Sequence, residues 1–265
     1  MMNFLVYPFL FIYGTAIGSF LNVLIDRLPN EESIMGRSHC DHCKKTLNGI
    51  DLFPIFSFLF LGGKCRYCKK KLSFFYPFVE LLTGIAFILT WVYFPVNELV
   101  KLDLLITLVK LAAIGIVCTL IVIFFADLKY HIIPDSMQIS LLIFSMFLHF
   151  FQGESVSAFI NYFLSGLAVM TPILFIFLVT KGRGMGFGDV KLAFGFGLLL
   201  GLTGGLMVLY ISFLAGGIFG AVFLLLRKKG MKSVIAFGPY LVISIIIVLF
   251  FFQNIWHFLQ IYYGI

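Results

Sequence analysis

Long apolar stretches separated by short polar ones make up most of the 265-residue chain. Many of these stretches run for about 20 residues, the length at which an α-helix crosses the hydrocarbon core of a bilayer. They are continuous rather than alternating in polarity, so the pattern predicts helical spans and not a β-barrel. We place eight spans near residues 4–25, 74–94, 102–126, 136–152, 157–180, 189–202, 205–226 and 236–262. The predicted fold is an all-α polytopic membrane protein with about eight transmembrane helices.

Composition supports the same class. Hydrophobic residues make up 61% of the chain and charged residues 12%, which is about half the charged fraction of an ordinary soluble domain. The first apolar stretch lacks a basic preceding region and an Ala-x-Ala site, so we expect it to be retained as a span rather than cleaved as a signal peptide.

The basic residues predict the orientation of the spans. Of the 19 lysines and arginines, 17 fall on one side of the predicted membrane, and only Lys101 and Lys110 fall elsewhere. The positive-inside rule places that side in the cytoplasm and both termini outside, as expected of a multi-pass protein of the inner or cytoplasmic membrane. The net charge of +7 is then mostly a topology signal, with lipid headgroups as its partner. Nothing in the sequence supports nucleic-acid binding.

Residues 26–73, here called the cysteine module, form the only sizeable polar segment. They contain two Cys-x-x-Cys pairs separated by 21 residues, namely Cys40 with Cys43 and Cys65 with Cys68. Four thiolates suit a tetrahedral Zn²⁺, and a shell filled by cysteine is structural rather than catalytic. A module this small needs such a crosslink to fold. We therefore predict a zinc-ribbon-like domain, with the nearby histidines as bystanders.

Two spans carry polar residues that need an explanation. Gly14 and Gly18 share a face of the first span, which would allow another helix to approach closely, and Asn22 lies one turn further on. Glu80 lies about one turn inside the second span. A structural hydrogen bond for Asn22 and a salt bridge for Glu80 are the alternatives to a functional role, since such groups need partners in a membrane.

Two aspartates are predicted at the same membrane border. Asp127 ends the third span, where the helix dipole disfavours a carboxylate, and this suits an acid–base role better than a structural one. Asp189 opens the sixth span after Gly186 and Gly188, whose missing side chains would let a substrate backbone approach. Asp135 follows a proline and is expected to cap the fourth span. Helix capping is also the structural alternative for Asp189.

Several motifs occur together, in a fixed order. They are Gly18-Ser19-Phe20-Leu21-Asn22 with Arg27-Leu28-Pro29, the two cysteine pairs, Tyr76-Pro77 with Val79-Glu80, Asp127 with Ile133-Pro134-Asp135, and Gly184-Met185-Gly186-Phe187-Gly188-Asp189-Val190-Lys191. In this combination the chain resembles the bacterial type IV prepilin peptidases, which are membrane aspartic proteases of the GxGD type.

The resemblance implies a catalytic pair at Asp127 and Asp189. It implies a type IV prepilin or pilin-like pseudopilin substrate, whose short basic leader is removed after a glycine on the cytoplasmic side. It further implies N-methylation of the new N-terminus with S-adenosylmethionine. No Rossmann glycine motif is present, so a site for the donor must be built differently. The candidate residues for it are Gly18, Ser19, Asn22 and Glu80.

The predicted organisation is a first span (1–25), the cysteine module (26–73) and a protease core of about seven spans (74–265). A transporter with a zinc-binding domain would place acids near the bilayer midplane, whereas here they cluster at one border. A scaffold that binds pilin precursors without cutting them remains an alternative. A zinc hydrolase is disfavoured because HExxH is absent. The sequence leaves the oligomeric state and the pilin system open.

Overall fold

The computed structural model describes residues 2–40, 42–96, 100–225 and 236–263. The chain divides into two compact units, residues 1–94 and 95–265. The basic residues Arg227, Lys228, Lys229 and Lys232, which contribute to the predicted orientation, lie outside the described residues, as does Asp41. The helices are α1 (Met2–Arg27), α2 (Phe56–Phe60), α3 (Phe75–Tyr93), α4 (Asp103–Tyr130), α5 (Asp135–Phe151), α6 (Val156–Thr180), α7 (Phe187–Leu225) and α8 (Gly238–Tyr263).

The first unit is built on α1 and α3, which cross at glycines. A Cβ added to Gly14 would lie 2.9 Å from the Cα of Gly84, and one added to Gly18 would lie 2.8 Å from the Cα of Glu80. Real Cβ atoms do not approach a backbone this closely, so only glycine lets the two helices meet. The shared glycine face predicted from the first span is confirmed. This crossing brings the polar end of α1 against Glu80.

The cysteine module joins α1 to α3. It holds a short 3-10 helix (Gly49–Leu52), the single-turn helix α2, and two small hairpins marked by the backbone bridges His39–Thr46 and Lys64–Lys71. An ion pair of 2.6 Å between Asp51 and Arg66 links the 3-10 helix to the second hairpin. Few apolar side chains of this segment are buried, which leaves the four cysteines as its main crosslink.

The second unit contains α4 to α8. In the apolar part of α4, 67% of the residues are buried, whereas the corresponding share in α6 is 17%. Helix α4 is therefore central and α6 is peripheral. A left-handed residue, His131 (φ 56°, ψ 36°), ends α4 and turns the chain into α5. The largest fully buried side chains of this unit include Ile116, Leu120, Ile123, Leu141, Ile173, Leu192, Phe196, Leu241 and Ile245.

Helix α7 is two helical arms that fold back on each other. Gly201 interrupts it with φ 71° and ψ −176°, a conformation that favours glycine. A Cβ built on Gly205 would lie 3.4 Å from the Cα of Gly197, although residues eight apart in a straight helix are about 12 Å apart. The arms, residues 187–200 and 202–225, therefore match the separate sixth and seventh spans predicted from the sequence.

Six of the described helices are long and apolar enough to cross a membrane, and α5 is a shorter apolar helix. With α7 counted as two arms, the described residues contain the eight predicted spans. The prediction of an all-α polytopic membrane protein is confirmed.

Candidate active site and cysteine module

Asp127 and Asp189 are brought together inside the second unit. Asp127 lies in the last turn of α4 and Asp189 in the first turn of α7, and their side chains interact electrostatically. Both residues are buried, with exposures of 6% and 7%. Two neighbouring carboxyl groups shielded from water cannot both carry a charge easily, so such a pair shares one proton.

The local backbone fixes the position of Asp189. Helix α7 begins at Phe187, so Asp189 is its third residue. Its Oδ2 atom accepts a hydrogen bond of 3.2 Å from the backbone N–H of Gly186, the residue just before the helix. This is the side-chain half of a capping box, in which the third residue reaches back to the cap. Asp189 thus supports its own helix end, and the bond uses only part of its accepting capacity.

Asp127 keeps an oxygen without a donor. Its Oδ2 atom is buried and has no hydrogen-bond partner among the described residues. The backbone N–H of Gly238, at the start of α8, interacts with this carboxyl without making a full hydrogen bond to Oδ2. A buried oxygen of this kind is costly for a structural residue. Its lone pairs are left for a proton or a donor other than the described residues.

Gly238 is a residue of this site that the sequence does not reveal. A Cβ added to Gly238 would lie 2.6 Å from Oδ2 of Asp127, closer than any real contact allows. Its φ is not positive, so backbone conformation does not require glycine there. The requirement comes from the neighbouring carboxyl, and no local sequence pattern reports a contact between two distant helices.

The glycines before Asp189 differ in their surroundings. A Cβ on Gly186 would meet only Oδ2 of Asp189, at 3.5 Å, an ordinary contact. A Cβ on Gly188 would lie 3.2 Å from the Cβ of Ile133, so packing by itself favours a small residue at 188. Room for a substrate backbone at these two glycines stays a prediction.

Asp135 does not make the expected capping hydrogen bond. It is the first residue of α5, and no side-chain cap is present at Pro134 before it. Its carboxylate instead makes a bidentate ion pair with the Nζ atom of Lys191, at 2.7 and 2.8 Å. This pair joins the start of α5 to the start of α7, close in sequence to Asp189.

The four cysteines form a site of metal-binding dimensions. The sulfur atoms of Cys40, Cys43, Cys65 and Cys68 all lie within 4.8 Å of one another. The sulfurs of Cys40 and Cys68 are 3.9 Å apart, and Zn–S bonds of about 2.3 Å in a tetrahedron give sulfur separations of about 3.8 Å. The predicted four-cysteine cluster is confirmed, and its donor set fits a structural Zn²⁺.

The two cysteine hairpins are built alike. The N–H of Lys44 donates to the carbonyl of Cys40, and the N–H of Lys69 donates to that of Cys65. Both lysines have a positive φ, 56° and 59°, which turns the chain back toward the first cysteine of each pair. In the second hairpin, the backbone N–H of Cys68 lowers the pKa of the Cys65 thiol to about 7 despite its burial. A thiolate is thereby favoured at Cys65, one of the four positions.

Asp51 anchors this module and was not among the predicted residues. Burial opposes its charge, but the N–H of Asn48, the hydroxyl of Tyr67 and the guanidinium of Arg66 together hold the pKa of Asp51 below its usual range. No motif marks this residue, because its partners come together only in the folded module.

Most of the remaining candidate residues line a cavity in the first unit. Ser19, Asn22 and Glu80 line it, together with Cys40 and Asp51 from the cysteine module. Gly18 does not line the cavity; its contact with Glu80 brings α1 and α3 together behind these residues. The roles of these four residues in binding a cofactor stay predictions.

Asn22 makes the structural hydrogen bond considered from the sequence, whereas Glu80 makes no salt bridge with a described lysine or arginine. The Nδ2 atom of Asn22 donates to the carbonyl of Tyr76 at 3.1 Å, but its Oδ1 atom is buried with no partner in the described parts of the chain. The Oε2 atom of Glu80 accepts from the backbone N–H of Ile55 at 2.7 Å. No described lysine or arginine forms an ion pair with Glu80.

The chain is similar to known proteins over most of its length. Residues 12–94 match the Bacterial Peptidase A24 N-terminal domain, and residues 114–221 match the Type IV leader peptidase family. No solved structure matches the chain.

Three curated relatives carry the name prepilin leader peptidase/N-methyltransferase. The relative from Aeromonas hydrophila is 30% identical, with 92% of this chain and 90% of the relative covered. The relative from Legionella pneumophila is 31% identical over 92% and 91%, and that from Bacillus subtilis (strain 168) is 30% identical over 87% and 88%. Likeness of this extent, over both matched domains, shows that the chain belongs to the type IV leader peptidase family.

Proposed function

We propose that this protein is an aspartic endopeptidase that removes the short basic leader from type IV prepilins and pseudopilins, and that it methylates the new N-terminus. The observation that carries the peptidase is the pair of buried, interacting carboxyl groups of Asp127 and Asp189. The relatives named prepilin leader peptidase/N-methyltransferase support both activities.

Cleavage uses the shared proton of the two aspartates. The ionised carboxylate takes a proton from a water molecule, whose oxygen attacks the scissile carbonyl carbon. The protonated carboxyl donates a hydrogen bond to the carbonyl oxygen as negative charge develops there. The tetrahedral species collapses when the C–N bond breaks and the leaving amine receives a proton from the dyad. No covalent intermediate with the enzyme forms.

Gly186 and Gly188 provide access for the substrate backbone in this proposal. The space around the Cβ position of Gly186 is open apart from Asp189, so an extended substrate could pass beside the carboxyl. The unpartnered Oδ2 of Asp127 suits contact with the attacking water or the scissile carbonyl.

The distribution of basic residues supports the proposed orientation of the protein in the membrane. The protein lies in the cytoplasmic membrane among lipids, with the cysteine module and both aspartates on the cytoplasmic side and both termini outside. Cleavage after a glycine, just before the hydrophobic helix of the substrate, then takes place where the leader emerges from the membrane.

Zn²⁺ is the proposed ion of the four-cysteine cluster, where it stabilises the module and takes no part in cleavage. The residues fit this ion, because all four donors are thiols at matching distances.

S-adenosylmethionine is the proposed methyl donor, and its chemistry is the transfer of a methyl group to the amine nitrogen, with loss of the amine proton and of the bond to sulfur. The cavity of the first unit is the proposed place for it, with Ser19, Asn22 and Glu80 in its wall and Gly18 supporting them. The unpartnered Oδ1 of Asn22 supports a ligand there.

Incubation of the purified full chain with a prepilin precursor tests both activities. Intact-mass measurement should show loss of the leader without added donor, and a further methyl mass only when S-adenosylmethionine is present. An unchanged precursor would refute the peptidase, and a cleaved but unmethylated product in both samples would refute the methyltransferase.

A further inference from the structure

We infer that the cavity of the first unit prefers a positively charged ligand, and that Glu80 and Asn22 are the residues that recognise this charge. The inference rests on the proposed function, because the ligand it names is the sulfonium group of the methyl donor. It adds the property by which the site separates the charged donor from its neutral product.

The cavity wall is rich in carboxylates. Asp26, Glu32, Asp51 and Glu80 line it, and an ion pair with Arg66 offsets the charge of Asp51. Among the described lining residues there is one arginine, Arg27. Its guanidinium donates to the backbone carbonyls of Ser33, Ile34 and Arg37. The electrostatic field in such a cavity favours a cation.

Glu80 is buried and has accepting capacity left. It is 8% exposed, and its described donors are the Ile55 N–H and the hydroxyl of Ser19. A carboxylate offers about four lone-pair sites, so two remain for a ligand. A buried carboxylate without a cation is costly, and a positively charged ligand group would remove that cost.

Asn22 supplies a second acceptor in the same wall. The residue is 6% exposed, and its Oδ1 atom has no partner while Nδ2 is held by the carbonyl of Tyr76. The amide therefore has an oxygen, a hydrogen-bond acceptor, without a described donor. An oxygen acceptor beside a carboxylate suits a donor or a cation and disfavours an anion.

The loop that faces Glu80 is held in a strained conformation. Ile55 has φ 60° and ψ −53°, a rare backbone state for a β-branched residue. Strain of this kind persists where surrounding contacts impose it, often at binding sites. Here the backbone N–H of Ile55 donates to the carboxylate of Glu80. Glu80 is therefore fixed by both α1 and the loop before any ligand binds.

A purely structural Glu80, present only to hold Ile55, makes a different prediction. In that case binding would not depend on the charge of the ligand. The experiment is isothermal titration calorimetry on the full chain in detergent with three probes. S-adenosylmethionine carries a sulfonium, sinefungin carries an amine at the equivalent position, and S-adenosylhomocysteine is the neutral thioether.

The wild-type protein should bind S-adenosylmethionine and sinefungin at least about tenfold more tightly than S-adenosylhomocysteine, the scale of one hydrogen bond to a charged group. The E80Q variant keeps an acceptor for Ile55 and removes the charge, so the preference should shrink to about threefold or less. N22A should weaken all three probes. Glu31 is an exposed acid that does not line the cavity. The E31Q variant should therefore retain the wild-type preference.

Equal affinity of the wild-type protein for all three probes would overturn the inference. This comparison uses the wild-type protein alone, so it does not depend on whether a variant folds. A preference that survives in E80Q would overturn the role of Glu80. In each case a methylated product in the intact-mass assay would show that the proposed function still stands.

Discussion

At the scale of single residues, each buried aspartate has a glycine beside it. Gly186 gives Asp189 an N–H donor at the start of α7, and Gly238 leaves space for the carboxyl of Asp127. The first glycine belongs to a sequence motif, whereas the second is separated from its aspartate by most of the second unit. Sequence patterns reveal residues whose partners are near in the chain, so they do not reveal Gly238.

The substitution Gly238→Ala should impair cleavage by displacing Asp127. The added Cβ would lie 2.6 Å from Oδ2, and small shifts in catalytic geometry are costly, so kcat should fall by about 100-fold with KM little changed. Steady-state kinetics with a prepilin precursor measures both constants.

Gly217→Ala is the matched control, because a Cβ at Gly217 meets nothing within 4 Å. It should retain wild-type kinetics. A Gly238→Ala enzyme with normal kcat would show that Asp127 tolerates the displacement and that Gly238 has no positioning role.

At the scale of elements, the sequence predicted the helices better than the contacts between them. Continuous apolar stretches indicated the spans, and glycine spacing indicated the face on which α1 meets α3. The turn at Gly201 was anticipated as a span boundary. The sequence did not predict the Ile55 turn or the contacts of Asp51. These features depend on Glu80 and Arg66, which lie in other parts of the first unit.

Metal removal should affect the cysteine module first. Cys65→Ser should release zinc, because the serine hydroxyl does not replace a buried thiolate ligand, and a segment with so little apolar core should then lose its structure. Zinc content by mass spectrometry and limited proteolysis of the cysteine module measure the two effects.

Cys118→Ala serves as the control, since Cys118 lies in α4 outside the cluster. It should keep its zinc and its protease resistance. A Cys65→Ser protein that retains a full equivalent of zinc would contradict the four-cysteine site.

At the scale of the whole molecule, the two proposed activities belong to different units. The cavity is lined by residues of the first unit, and both aspartates belong to the second. Composition and charge predicted the membrane class, and motif order predicted the family. The division at residues 94 and 95 carries no composition signal, because it falls between two apolar helices.

This division predicts that methylation does not require the dyad. An Asp189→Asn enzyme should still methylate a synthetic precleaved substrate with a free N-terminal amine, at a rate within about threefold of wild type. Transfer of a labelled methyl group from S-adenosylmethionine measures it. Loss of methylation on the precleaved substrate, in a protein that retains its zinc, would show that the aspartates serve both reactions.

Cleavage of a prepilin precursor by Asp127→Asn and Asp189→Asn enzymes tests the central claim most directly. Each substitution removes a proton-transfer group while keeping its shape, so the cleavage rate should fall by about 100-fold or more in either variant, with zinc content and thermal stability unchanged. Asp103→Asn, which alters an exposed aspartate at the other end of α4, should cleave at the wild-type rate. Wild-type cleavage by either dyad variant would contradict the account.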